Sequence, residues 1–278
     1  MKRTLSVLLA LALTFSLAAC GSSSGDSDKE ETKDGTTTLR VGASPTPHAE
    51  ILNSVKDKLK DEYNIDLEVV EYSDYVVPNT AVEEGEDQAN YFQHTPYLDT
   101  FNEENGTHLV SVAKIHYEPF GMYSSKVDSV EDLEDGATIA IPNDGSNEAR
   151  ALYLLEAEGL IKLNHDAGFN ATVLDITENP KNLEIQEVSA EMVARTLDDV
   201  DAAIVNGNYA LQADLKISDA IATESSESES AQTYANIIAV KEGNEDDEAI
   251  QALIKVLTSD ETRDFINETY DGAVVPLF

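Results

Sequence analysis

The chain has one cysteine, Cys20, and no tryptophan, so no disulfide can form within it. Positive charge is equally scarce: 18 Lys and Arg stand against 54 Asp and Glu, a formal charge of −36. A surface that acidic excludes nucleic acid, whose phosphates need a basic face. It also excludes adsorption to an anionic leaflet by charge alone. No apolar run is long enough to span a bilayer. The chain also lacks a G-x-S-x-G elbow, a phosphate-binding glycine loop and an H-E-x-x-H helix, so no common catalytic motif suggests an enzyme.

The first residues carry Lys2 and Arg3, then an apolar run from Leu5 to Ala19, then Leu17-Ala18-Ala19-Cys20 before Gly21. That order matches a secretory signal peptide. The lone cysteine after Leu-Ala-Ala resembles a bacterial lipobox, in which the cysteine is lipidated and becomes the mature N-terminus. The expectation is signal peptide over 1–19 and lipidated Cys20 with a flexible acidic linker over 20–37. The linker GSSSGDSDKEETKDGTTT holds no apolar residue and cannot build a core. Loss of 1–19 removes Lys2 and Arg3 and takes the formal charge from −36 to −38. The expected location is extracytoplasmic, with the membrane reached through the lipid alone.

From residue 38 onward, short apolar strands alternate with helical patterns. Strands are expected at Leu39–Ala43, Leu67–Tyr72, Leu109–Ile115, Ala137–Ile141, Ala171–Ile176, Leu183–Val188, Ala202–Val205 and Ile237–Val240. Helices are expected over His48–Tyr63 and Ala149–Leu160, and a last one on Ile250, Leu253, Ile254 and Leu257. Such alternation predicts an α/β fold of mostly parallel sheets, with ligand sites at the strand ends.

Four stretches concentrate chemistry-bearing residues. Asn90–Leu98, NYFQHTPYL, gathers Tyr91, Phe92, His94, Pro96 and Tyr97 in a chain only 6% aromatic. It reads as a turn feeding a helix, with Thr95 as N-cap and Pro96 in first helical position. Either a core loop or an aromatic-walled pocket fits those residue types. Pro142–Leu152, PNDGSNEARAL, leaves a strand and enters a helix capped by Ser146 or Asn147. Arg150 lies near that helix start against its dipole preference, in a mature chain whose other arginines are Arg40, Arg195 and Arg263. It is either a carboxylate ligand or a surface cation paired with acidic neighbours. Val205–Tyr209 runs from a strand into Asn206, Gly207 and Asn208, and Tyr72–Asn79 is a further aromatic and polar loop. Metal ligation by His48, His94 and His116 is the competing reading, weakened by their long spacing and the lack of a close ligand pair. A secreted hydrolase and a structural adhesin are further alternatives from other classes.

FQHTPYL, PNDGSNEARAL, the ENPKNLEI run at Glu178–Ile185 and NGNYA resemble, in order and over essentially the whole chain, the methionine-binding lipoproteins. These are the NlpA family of ABC-importer substrate-binding proteins. The resemblance implies a two-lobed periplasmic-binding-protein fold with the ligand in the cleft, lobe 1 being 38–120 plus 235–278 and lobe 2 being 121–234. It implies a methionine pocket of Tyr75, Phe92, His94 and Tyr97, Arg150 on the ligand carboxylate, and Asn206 and Asn236 beside it. It further implies a monomer without cofactor or catalytic activity, which delivers methionine or a close derivative to an ABC permease and its ATPase. Residue chemistry agrees, since side-chain carbonyls can accept from an ammonium and aromatic faces attract a thioether. The VGASPTPH segment over Val41–His48 and His116-Tyr117 before Pro119 do not match the family pattern, which leaves room for a ligand other than plain methionine.

Overall fold

The computed structural model describes residues 35–224 and 232–278. Thirteen strands follow in chain order: β1 (Thr37–Ala43), β2 (Ile65–Glu71), β3 (Ala89–His94), β4 (Leu109–Tyr117), β5 (Gly121–Tyr123), β6 (Thr138–Pro142), β7 (Lys162–Leu163), β8 (Ile176–Glu178), β9 (Glu184–Val188), β10 (Ala202–Val205), β11 (Ala222–Thr223), β12 (Asn236–Lys241) and β13 (Val275–Pro276). Apart from the small β7–β8 pair, they form two sheets, ordered β13-β4-β12-β3-β1-β2 and β11-β5-β10-β6-β9. In the first, β1 is parallel to β2 and β3, while β12 runs against both β3 and β4 and β13 runs against β4. In the second, β6 is parallel to β9 and β10, and β5 runs against β10 and β11. Each sheet therefore has most of its strands in one direction, with helices against it: a two-lobed α/β protein.

Each sheet has its own core. Leu39, Val41, Tyr91, Ile115 and Ile238 of the first pack on Ile51, Leu52 and Leu59, and on Ile250, Leu253, Leu257 and Ile266 of the last two helices. Ile139, Ile141 and Ile204 of the second pack on Ala151, Leu152 and Leu155 of the helix Gly145–Ala157. Burying such side chains contributes about 1.5–3 kcal/mol each. The chain crosses between sheets twice, at Glu118–Phe120 after β4 and again between β11 and β12.

Several local expectations need correction. Ala89–His94 is not a turn but a fully buried interior strand, β3, lying between β12 and β1. Burial on both faces removes the alternation by which a strand is recognised. The following helix, Thr95–Asn105, is capped by His94 rather than Thr95, its Nδ1 accepting from Tyr97 N–H at 3.2 Å. The helix Gly145–Ala157 starts earlier than expected and is capped by Asp144, whose Oδ1 accepts from Asn147 N–H at 3.1 Å; neither Ser146 nor Asn147 is the cap. Arg150 thus falls in the second turn. The His48–Tyr63 helix is broken at Val55 into Glu50–Ser54 and Lys56–Tyr63. Ser54 Oγ donates to Ile51 O at 2.7 Å, the local side-chain bond that competes with a continuing helix. Ala171–Ile176 is not a strand: Thr172 and Asp175 form a reciprocal capping box around a tight helical turn, Val173–Asp175.

Candidate functional site

The carboxyl ends of β3 and β4 in one sheet face those of β6 and β10 in the other, where open α/β sheets place ligand sites. The cavity between them is lined by Tyr75, Phe92, Gln93, His94, Tyr97, Glu118, Asn147, Arg150, Asn206, Gly207, Asn208 and Asn236. All seven residues singled out from the sequence, Tyr75, Phe92, His94, Tyr97, Arg150, Asn206 and Asn236, are therefore brought together. Gln93, Asn147, Gly207 and Asn208, which belong to the stretches noted above but were not chosen as ligand residues, join them, as does Glu118, which no motif marked. Cys20 lies outside the described residues.

One wall is aromatic. Phe92, Tyr97 and Phe101 cluster with Tyr75, whose ring centroid lies 5.5 Å from Phe92 and 5.6 Å from Tyr97. Tyr75 also reaches across the cleft, its hydroxyl donating to Asn208 Oδ1 at 2.5 Å and its ring lying 5.0 Å from that of Tyr209. The Tyr209 hydroxyl donates back to Ser73 O at 3.1 Å. These contacts tie the first lobe to the helix that follows β10.

His94 is held at both nitrogens. Nδ1 accepts from Tyr97 N–H, so Nε2 carries the proton and donates to Asn147 Oδ1 at 3.1 Å. Burial, and then the charge of Arg150, push its pKa down to about 3, so the ring is neutral at physiological pH. Asn147 Oδ1 also accepts from Asn206 Nδ2 at 2.9 Å. That leaves Asn206 Oδ1 buried, with no hydrogen-bond partner among the described residues. A buried acceptor without a donor is costly, about 1–3 kcal/mol, and asks for an N–H from elsewhere.

β12 enters the sheet with Asn236 opposite His94 on one side and His116 on the other. Asn236 Oδ1 accepts from His48 Nε2 at 3.0 Å. The same nitrogen lies 3.4 Å from Glu118 Oε1, which accepts from His116 Nε2 at 2.7 Å. The other nitrogen of His116 bonds to the Tyr91 hydroxyl. Burial lowers His48 to about 4 and His116 to about 3, and raises the Glu118 carboxyl. Both rings are neutral at pH 7, so the trio carries at most the single charge of Glu118. Gly207 packs so closely on this residue that a Cβ would stand 2.5 Å from Glu118 Cβ.

The triad of the competing metal reading, His48, His94 and His116, does not converge. Among the described residues, the donor atoms that converge belong to His48, His116 and Glu118, while both nitrogens of His94 are taken by Tyr97 and Asn147. Within that cluster His116 Nε2 donates to Glu118 Oε1, while His48 Nε2 bonds to Asn236 and lies 3.4 Å from the same carboxylate oxygen.

Among the described residues, Arg150 is the only cation lining the cavity. Its Nε donates to Glu224 Oε1 at 2.9 Å, and its Nη2 to Glu224 Oε2 at 2.6 Å and to Glu118 O at 2.9 Å. Its guanidinium carbon lies 4.6 Å from the Phe120 ring and 4.3 Å from that of Tyr234. Burial alone would lower its pKa, but the Glu224 carboxylate outweighs that and raises it. In turn, Glu224 is drawn below the usual carboxylate range, Arg150 overriding the upward push of burial.

Residues 39–278 match the family model described as NlpA lipoprotein. The chain is 43% identical over 277 residues to the methionine-binding lipoprotein MetQ of Bacillus subtilis, covering 96% of this chain and 97% of that one. A solved lipoprotein of Ruminococcus gnavus superposes with a TM-score of 0.85 at 56% identity, covering 87% of this chain and 99% of the other. A nutrient-binding protein of Burkholderia cenocepacia, solved bound to methionine, superposes with a TM-score of 0.83 at 44% identity, over 86% of this chain and all of that one. Among the described residues, no helix is long and apolar enough to cross a membrane.

Proposed function

Because this chain belongs to the NlpA lipoprotein family, we propose that it is the lipid-anchored, extracytoplasmic substrate-binding protein of an ABC importer. Its ligand is methionine, L- or D-, or a close derivative. The observation that carries this reading is the buried, partnerless Asn206 Oδ1 in a cavity that also holds the Arg150 guanidinium. An α-ammonium supplies the N–H that Asn206 lacks, and the α-carboxylate meets Arg150. Tyr75, Phe92 and Tyr97 receive the thioether, each sulfur–aromatic contact contributing about 0.3–1.5 kcal/mol. Neutral His94 and Asn236 complete the polar wall. Among the described residues, no serine, threonine or cysteine lines the cavity.

Lobe 1 comprises 38–120 and 235–278, and lobe 2 comprises 121–234. Ligand held between them favours the closed form, since only that form contacts it from both sides. The loaded protein then docks on a permease driven by an ATPase, while lipidated Cys20 keeps it at the membrane.

Isothermal titration with L- and D-methionine tests the reading; a protein that binds neither refutes it. Asn206→Ala should weaken methionine at least tenfold and leave 4-methylthiobutyrate, which has no amine, unaffected. Equal losses for both ligands would remove Asn206 from the ammonium seat. Arg150→Ala is the less clean test, because it also strips buried Glu224 of its partner.

A further inference from the structure

Arg150 lines the cavity, and Glu224 stands behind it. Glu224 does not depend on Arg150 for its place: Oε2 also accepts from the Tyr117 hydroxyl at 2.7 Å and from Phe120 N–H at 3.2 Å. Tyr117 and Phe120 flank the first chain crossing, and Glu224 opens the second. A carboxylate fastened at that junction does not swing aside when another arrives. Arg150 is equally fixed, between the Phe120 and Tyr234 rings and by its bond to Glu118 O. Its hydrogen bonds to described residues run from Nε and Nη2, so Nη1 is the end left for a ligand.

The charge around that end follows. Arg150 and Glu224 cancel, His48, His94 and His116 are neutral, and Glu118 can add only negative charge. A ligand carboxylate therefore finds hydrogen-bond donors but no net positive field, unlike one meeting an unpaired arginine.

We infer that Glu224 is a specificity-setting residue that neutralises Arg150, so that the seat takes an α-amino acid amide or an N-terminal methionyl peptide nearly as well as a free amino acid. The inference rests on the reading of Arg150 as the carboxylate seat. The discriminating group for the ligand class becomes the free α-amine, with the carboxyl end free or amidated.

Titrating the purified protein with L-methionine and L-methioninamide at pH 6, where both amines are protonated, tests this. The amide should bind less than tenfold more weakly than methionine; a difference of tenfold or more overturns the inference. Glu224→Gln keeps an oxygen for Tyr117, Phe120 and Nη2 but removes the charge, so it should raise the ratio of the two dissociation constants at least tenfold. An unchanged ratio also overturns the inference, and because both ligands are measured on one protein a partial loss of folding cancels. Should that variant bind neither ligand, the ratio in the parent decides. Methionine binding with a large ratio defeats this inference alone, whereas binding of neither ligand by the parent defeats the functional reading beneath it.

Discussion

Gly207→Ala sets two effects of opposite sign against each other. Gly207 begins the helix Gly207–Gln212, and in open helical surroundings glycine to alanine stabilises by about 0.5–1 kcal/mol. Here the added Cβ would stand 2.5 Å from Glu118 Cβ and 2.6 Å from Glu118 Oε2. Carbon atoms rest at about 3.5–4.0 Å, so the overlap is about 1 Å. Glu118 cannot yield easily: Oε1 is bonded to His116, and its backbone carbonyl accepts from Arg150. Overpacking of this kind costs about 1–3 kcal/mol, which outweighs the helical gain. Urea denaturation should show a lower midpoint with an unchanged slope, a net loss of about 1–2 kcal/mol. Methionine affinity should fall in the same variant, because Asn206 and Asn208 flank the displaced residue. Gly145→Ala is the control: its Cβ would meet only Thr100 Cγ2 at 3.5 Å, an ordinary contact. A Gly207→Ala protein as stable as its parent, or more so, would refute the steric reasoning.

Two other perturbations probe the aromatic wall and the buried histidine. Phe92→Ala should weaken methionine by tenfold or more and glycine hardly at all, measured by competitive titration; equal losses would place Phe92 away from the ligand side chain. His94 has its pKa depressed from 6.5 to about 3, so the folded state takes up its proton later than the unfolded chain. Its contribution to stability is complete above pH 6.5 and is lost as pH falls toward 3, with a slope of about 1.4 kcal/mol per pH unit. His94→Gln should flatten the urea-derived stability profile between pH 6 and 4 by about that slope, and an unaltered profile would show that His94 is not held neutral.

The candidate cavity was more legible in the chain than the backbone carrying it. Phe92, His94, Tyr97 and Arg150 stand out because aromatics and arginines are rare here, the first three crowding into one short stretch. The same residues misled about local structure, since Pro96 suggests a turn while the preceding residues form a strand with neither face in water. Asp144 rather than its neighbours caps the next helix, a choice among three capable side chains that backbone geometry decides. Asn147 and Glu118 left little trace: one hides among the polar residues of a helix start, and the other sits in a crossing with no periodicity of its own. Glu224 is the hardest to find, heading the run ESSESES, where nothing in the local sequence marks it as the partner of Arg150.

The place of β12 has a consequence for the order in which the protein can be made. This strand, Asn236–Lys241, fills the slot between β3 and β4, so until residue 241 of 278 has been synthesised the first sheet is split in two. Both exposed edges then carry unpaired backbone donors and acceptors, the state most open to pairing with other chains. The second sheet, whose strands all lie between Gly121 and Thr223, has no such debt to the C-terminus. The second sheet can therefore form without the C-terminal strands, whereas the Asn236 wall of the cavity is set only when β12 is in place. A chain cut short before β12 would keep one lobe and lose the other, and the binding cavity with it.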